Sequence, residues 1–98
     1  MLPQSQLVLC EPFILRTGAT DEKWSLWTDL LTRYQSTVRE LAKEFDAIFV
    51  PLQDVFDAAA ERMEPAYWLW DGVHPTAAGH DLIAERWLEV VQGNEALK

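Results

Sequence analysis

Two short apolar runs, Leu7-Val8-Leu9-Cys10 and Ala47-Ile48-Phe49-Val50, flank a long helical stripe and are closed by Glu11-Pro12 and by Pro51. An unbroken apolar run of this length suits a strand covered on both faces, as in a parallel sheet. Between the runs, Trp24, Trp27, Leu30, Leu31, Tyr34, Val38, Leu41 and Phe45 recur every three or four residues, with Asp29, Arg33, Arg39 and Lys43 on the other face. That spacing predicts one long amphipathic helix, with Thr20 or Asp21 as its cap. Two such strands joined across a helix form a right-handed β-α-β unit with parallel strands. The alternation therefore predicts an α/β fold.

A shorter helix is expected over residues 54–63, with Val55, Phe56, Ala59 and Met63 inward, ended by Glu64-Pro65. An aromatic loop follows (Tyr67-Trp68-Leu69-Trp70), then a turn, Asp71-Gly72-Val73-His74-Pro75. Thr76 is placed to cap a final helix whose inward residues are Leu82, Ile83, Trp87, Val90 and Val91, and Gly93 stops it. Parallel sheets normally have more than two strands. The chain, residues 1–98, is thus expected to begin inside a fold.

The net charge of −8 repels phosphate backbones and anionic lipid, so nucleic acid is excluded as a partner class and membrane surfaces are disfavoured. No apolar stretch approaches the ~18 residues of a membrane span. The N-terminal segment up to Cys10 lacks the basic start and the apolar length of a lipoprotein signal. A cytoplasmic location is the expectation. The single cysteine cannot form an intrachain disulfide or a thiolate metal cluster. Five tryptophans in 98 residues carry more bulky surface than a small core hides, which points to a partner surface.

The chemistry-bearing feature is the acid and imidazole three residues apart, Asp71 and His74. Serine hydrolysis needs an imidazole to take the nucleophile's proton and return it to the leaving group. A carboxylate on the far ring nitrogen fixes the tautomer. Gly72 permits a tight turn between them, and Pro75 restrains the chain just beyond. The wider string, Asp71-Gly-Val-His74-Pro75-Thr76-Ala-Ala-Gly79-His80, resembles the last motif block of the SGNH/GDSL serine hydrolases, which include esterases and lipases. The resemblance extends over the order of elements from about Leu7 to Val91. It implies the C-terminal half of a flavodoxin-like three-layer α/β/α fold, with about two parallel strands and three helices. It also implies that His74 is the general base and that Asp71 orients it.

The family's Gly-Asp-Ser nucleophile motif, oxyanion-hole glycine and asparagine motif are not present in this sequence. Ser5, Ser25 and Ser36 do not follow Gly-Asp, and Ser25 and Ser36 fall in the long helix. The expected function is therefore the acid–base half of a serine ester hydrolase, with the nucleophile-bearing N-terminal half absent and the isolated chain inactive. Its substrate would be an acyl ester of a small molecule, lipid or acetylated carbohydrate. The alternative is a non-catalytic interaction module, in which a homo-oligomer completes the sheet.

Trp68 and Trp70, just before the acid, are candidates for lining an acyl or sugar pocket, or else for sealing the loop onto the core. Residues 16–20 form an expected flexible segment that, by the family resemblance, lies near the rim of the site. Asp71, His74, His80 and Asp81 have poor spacing for a metal, Cys10 has no neighbour to activate a thiolate, and Trp24 and Trp27 read as core. No organic cofactor and no metal are expected.

Overall fold

The computed structural model describes residues 5–93. Strand β1 (Val8–Cys10) pairs in parallel with β2 (Ile48–Val50), with Val8 opposite Ile48 and Cys10 opposite Val50. Between them runs α1 (Trp24–Glu44), uninterrupted by glycine or proline. Helices α2 (Gln53–Ala60), α3 (Pro65–Trp68) and α4 (Ala77–Gln92) complete the order. Helix α1 packs on both strands and α4 on β2. The α/β class and the parallel pair agree with the sequence pattern. Among the described residues no helix is long and apolar enough to cross a membrane.

The core lies beside the strands, where Leu15, Phe56, Ala59, Trp68 and Leu69 cluster and Phe13, Leu82 and Ile83 pack against them. Phe13 stacks on Phe56 with ring centroids 4.5 Å apart. Helix α1 contributes little to this core. Ala42 is buried, but Leu30, Tyr34, Leu41 and Phe45 are exposed, and Trp24 and Trp27 are only half-buried. Its stripe has the period of a buried face, yet much of that face lacks cover. Strand β1 is partly exposed rather than enclosed, while Ile48 and Val50 of β2 are buried.

Other details depart from the sequence expectation. Neither Thr20 nor Asp21 caps α1: Lys23 occupies the N-cap and makes no side-chain cap bond. Thr20 closes a 3-10 turn (Gly18–Thr20), and Asp21 pairs with Arg16 at 2.9 Å. Helix α2 stops at Ala60 because the amides of Glu61 and Arg62 tighten onto the carbonyls of Ala58 and Ala59. Met63 leaves the stripe and is exposed. Pro65, expected only to end a helix, starts α3 at a position where a missing N–H costs nothing. Trp87 is also exposed on α4.

One buried acid joins three elements. Glu11 is 5% exposed, and its Oε1 accepts from the amides of Leu52 and Gln53 at 3.0 and 2.9 Å, satisfying donors at the start of α2. Its Oε2 accepts from Arg39 of α1 at 3.0 Å. At the same end of α2, Arg86 of α4 grips Asp54 with two bonds and the Pro51 carbonyl with a third. The Arg86 guanidinium holds the Asp54 carboxyl below its ordinary range.

Candidate active site

The segment between α3 and α4 is a tight hairpin. Leu69 and Pro75 form an antiparallel bridge, the Trp70 amide donates to the His74 carbonyl at 3.1 Å, and the Gly72 amide donates to Leu69 at 3.0 Å. Gly72 sits at φ +91°, a region that an L side chain rarely enters. Thr76 closes the hairpin into α4 as the sequence predicts: its Oγ1 accepts from the Gly79 amide at 3.1 Å. The hydroxyl donates back to the Tyr67 carbonyl at 2.6 Å, tying α3 to α4.

This hairpin brings Asp71 and His74 together. Oδ1 of Asp71 accepts from the amides of Val73 and His74 at 2.9 and 2.7 Å, and Oδ2 lies 2.6 Å from Nδ1 of His74. Partial burial pushes the Asp71 carboxyl up. The His74 amide, the His74 ring, the Val73 amide and the charge on His74 outweigh it and bring the group down to about 2. Asp71 is therefore a carboxylate near neutral pH and accepts only, so Nδ1 carries the proton. That tautomer leaves Nε2 with its lone pair free. The imidazole is 68% exposed as a side chain and the carboxylate 16%, so an anchored acid holds an open base.

The two tryptophans separate. Trp70 is 61% exposed and stacks beside His74, with centroids 5.7 Å apart and planes 23° from parallel. Trp68 is 7% exposed within the core, with Arg62 over its ring, so it does not line an open pocket. Helix α3 turns Trp68 inward, into the core-sealing role that was its alternative, and leaves Trp70 at the surface.

Residues 16–20 are not a free rim. The Leu15 amide donates to the Gly72 carbonyl and the Ala19 amide to the Asp71 carbonyl, each at 3.0 Å. Glycine and threonine in 17–20 hint at a turn, but nothing in the pattern says that it docks on a hairpin more than fifty residues away.

The other candidates lie elsewhere. His80 is exposed in the first turn of α4 and its amide donates to the Thr76 carbonyl. Among the described residues, no group of three or more His, Cys, Asp or Glu side chains is placed to share a metal ion. Burial pushes the Cys10 thiol up, away from the thiolate a nucleophile needs. Ser25 and Ser36 are exposed on α1, and no described serine is hydrogen-bonded to His74. A groove of about 500 Å³ between α2 and α4 is lined by Arg62, Leu82 and Arg86 among others, without Asp71 or His74.

Comparison with known proteins follows the same line. A GDSL-like lipase from Parabacteroides merdae superimposes with a TM-score of 0.83 at 44% identity, over 99% of this chain and 42% of its own. An acetylxylan esterase from Geobacillus stearothermophilus is 28% identical over 85 residues, which are 87% of this chain and 37% of the relative. Its crystal structure superimposes with a TM-score of 0.70 over 95% of this chain and 40% of its own. The chain thus spans about two fifths of the length of these relatives. The profile of the GDSL-like lipase/acylhydrolase family matches residues 4–87, and the chain belongs to that family.

Proposed function

We propose that this chain supplies the acid–base half of a serine ester hydrolase site. His74 takes the proton of a serine hydroxyl through Nε2 and delivers it to the leaving alcohol, and Asp71 holds the ring and steadies the imidazolium. The observation that carries this reading is the 2.6 Å contact from Nδ1 to a carboxylate whose other oxygen is pinned by two amides. A carboxylate so occupied is a poor base itself but an effective anchor.

The nucleophile and the oxyanion donors come from residues outside this sequence, since no Gly-Asp-Ser occurs in it. Without those donors the chain alone has no turnover, because removing even one can cost ~10²–10³ in rate. The uncovered apolar residues of α1, Leu26, Leu30, Tyr34 and Phe45, are where the complementary part of the site would dock, whether on the same protein or another. The substrate class is an acyl ester, with acetylated carbohydrate first. The named relative is an acetylxylan esterase, and the exposed face of Trp70 beside His74 suits a sugar ring.

The test is a chimera in which this chain replaces the matching C-terminal segment of the 44% identical Parabacteroides merdae protein. The expected result is hydrolysis of p-nitrophenyl acetate that falls by ~10³-fold or more with His74→Ala. A folded chimera without turnover, or turnover that survives His74→Ala, overturns the proposal.

A further inference from the structure

Three contacts fasten residues 15–20 to the hairpin that carries the acid. The Ala19 amide donates to the Asp71 carbonyl and the Leu15 amide to the Gly72 carbonyl. Gly18, at φ +56°, presses so closely on Asp71 that an added Cβ would stand 2.9 Å from the Asp71 Cα. From the other side, a Cβ on Gly72 would stand 2.5 Å from Thr20 Oγ1 and 2.6 Å from the carbonyl oxygens of Leu15 and Thr17. Two glycines thus let two backbones meet where no side chain fits.

Thr20 holds its side of this contact together. It is 0% exposed, its hydroxyl donates to the Leu15 carbonyl at 2.5 Å, and the same oxygen accepts from the Thr17 amide at 3.1 Å. Both its hydrogen-bonding roles are spent inside the turn, so it is not free for substrate.

We infer that Gly18 and Thr20 are positioning residues for the acid–base pair: the turn they build sets the backbone of Asp71, and so the line from its carboxylate to His74. This inference rests on the reading of that pair given above. Asp71 carries three tasks on one side chain, two amides and one ring, within contacts of 2.6–2.9 Å. A displacement of the Asp71 backbone by a few tenths of an ångström therefore reaches the ring directly. Misplacement on the scale of 1 Å can cost ~10²-fold in rate.

The experiment uses Gly18→Ala, Thr20→Val and Thr20→Ser in this chain and in the chimera. In the chain, NMR follows the His74 Nδ1–H resonance and the Asp71 carboxyl titration. Gly18→Ala and Thr20→Val are expected to keep native circular dichroism, to shift or lose the Nδ1–H signal, and to move the Asp71 midpoint towards ~3.9. Thr20→Ser, which keeps the hydroxyl, restores both. In the chimera, kcat falls ~10–100-fold for Gly18→Ala and Thr20→Val, with KM within about twofold. Folded Gly18→Ala and Thr20→Val chains with unchanged Nδ1–H and Asp71 signals overturn the inference. Wholesale unfolding of both variants overturns it too, marking the turn as general support. A parent chimera without turnover rejects the hydrolase reading alone, because the NMR signals still report on the clamp.

Discussion

Asp71 meets His74 twice, through the backbone amide at 2.7 Å and the ring Nδ1 at 2.6 Å, using a different carboxylate oxygen for each. The ring is thereby fixed relative to its own main chain, and free rotation about the side-chain bonds is lost. All the donors stabilise the charged form, which gives the contact a pH signature. The folded value of about 2 lies below the ordinary carboxylate value of ~3.9. The contribution of Asp71 to stability is therefore complete above ~3.9 and is lost as pH falls through about 2. A 13Cγ titration of Asp71 is expected to have its midpoint near 2, and Asp71→Asn to remove this part of the acid transition. A midpoint at the ordinary value contradicts the arrangement.

Glu11 makes a separate prediction about the fold. Its Arg39 partner is 57% exposed, so the ion pair is worth ~1 kcal/mol or less. The two amides matter more, since burying them without an acceptor costs ~1–3 kcal/mol each. Glu11→Ala is expected to destabilise the chain by about 2–4 kcal/mol in urea unfolding. Arg39→Met should cost under ~1 kcal/mol. Equal losses from the two variants would show that the ion pair, not the cap, is what matters.

The pattern of residues carried the coarse architecture and the chemistry-bearing pair. Leu7 to Cys10 and Ala47 to Val50 contain the parallel strands, because four apolar residues in a row have few alternatives beside a helix of that length. Asp71 and His74 are close because three residues on a glycine turn leave little choice. Long-range docking was illegible. Nothing local in Glu11 says that its carboxylate caps a helix forty residues on, and nothing in Gly18 says that it abuts Asp71. Periodicity also overstated burial. A helical stripe reports which face is apolar, not whether anything covers it, as exposed Tyr34 and Phe45 show.

The contrast between stripe and core can be measured. Phe56 is 0% exposed and stacked on Phe13, whereas Tyr34 is 62% exposed. Phe56→Ala is expected to cost about 3–5 kcal/mol, a large part of the ~5–15 kcal/mol typical of a whole domain. Tyr34→Ala in the isolated chain should stay within ~0.5 kcal/mol. Urea midpoints at constant slope check both. A comparable loss at Tyr34 would mean that the exposed face of α1 is covered in solution, for instance by a second copy.

Trp70 separates support of the base from recognition of a substrate. One face of its ring stacks beside His74, and the side chain as a whole is 61% exposed, so removing it should change stability by less than ~0.5 kcal/mol. If the open face stacks on a sugar, Trp70→Ala in the chimera removes a contact worth ~0.5–1.5 kcal/mol. That corresponds to about a two- to tenfold greater fall in kcat/KM for an acetylated xylo-oligosaccharide than for p-nitrophenyl acetate. The small ester has no ring to place there beyond its leaving group, so its rate reports mainly on His74. Equal falls on both substrates would assign Trp70 to the imidazole alone, and the carbohydrate preference would lose the contact on which it rests here.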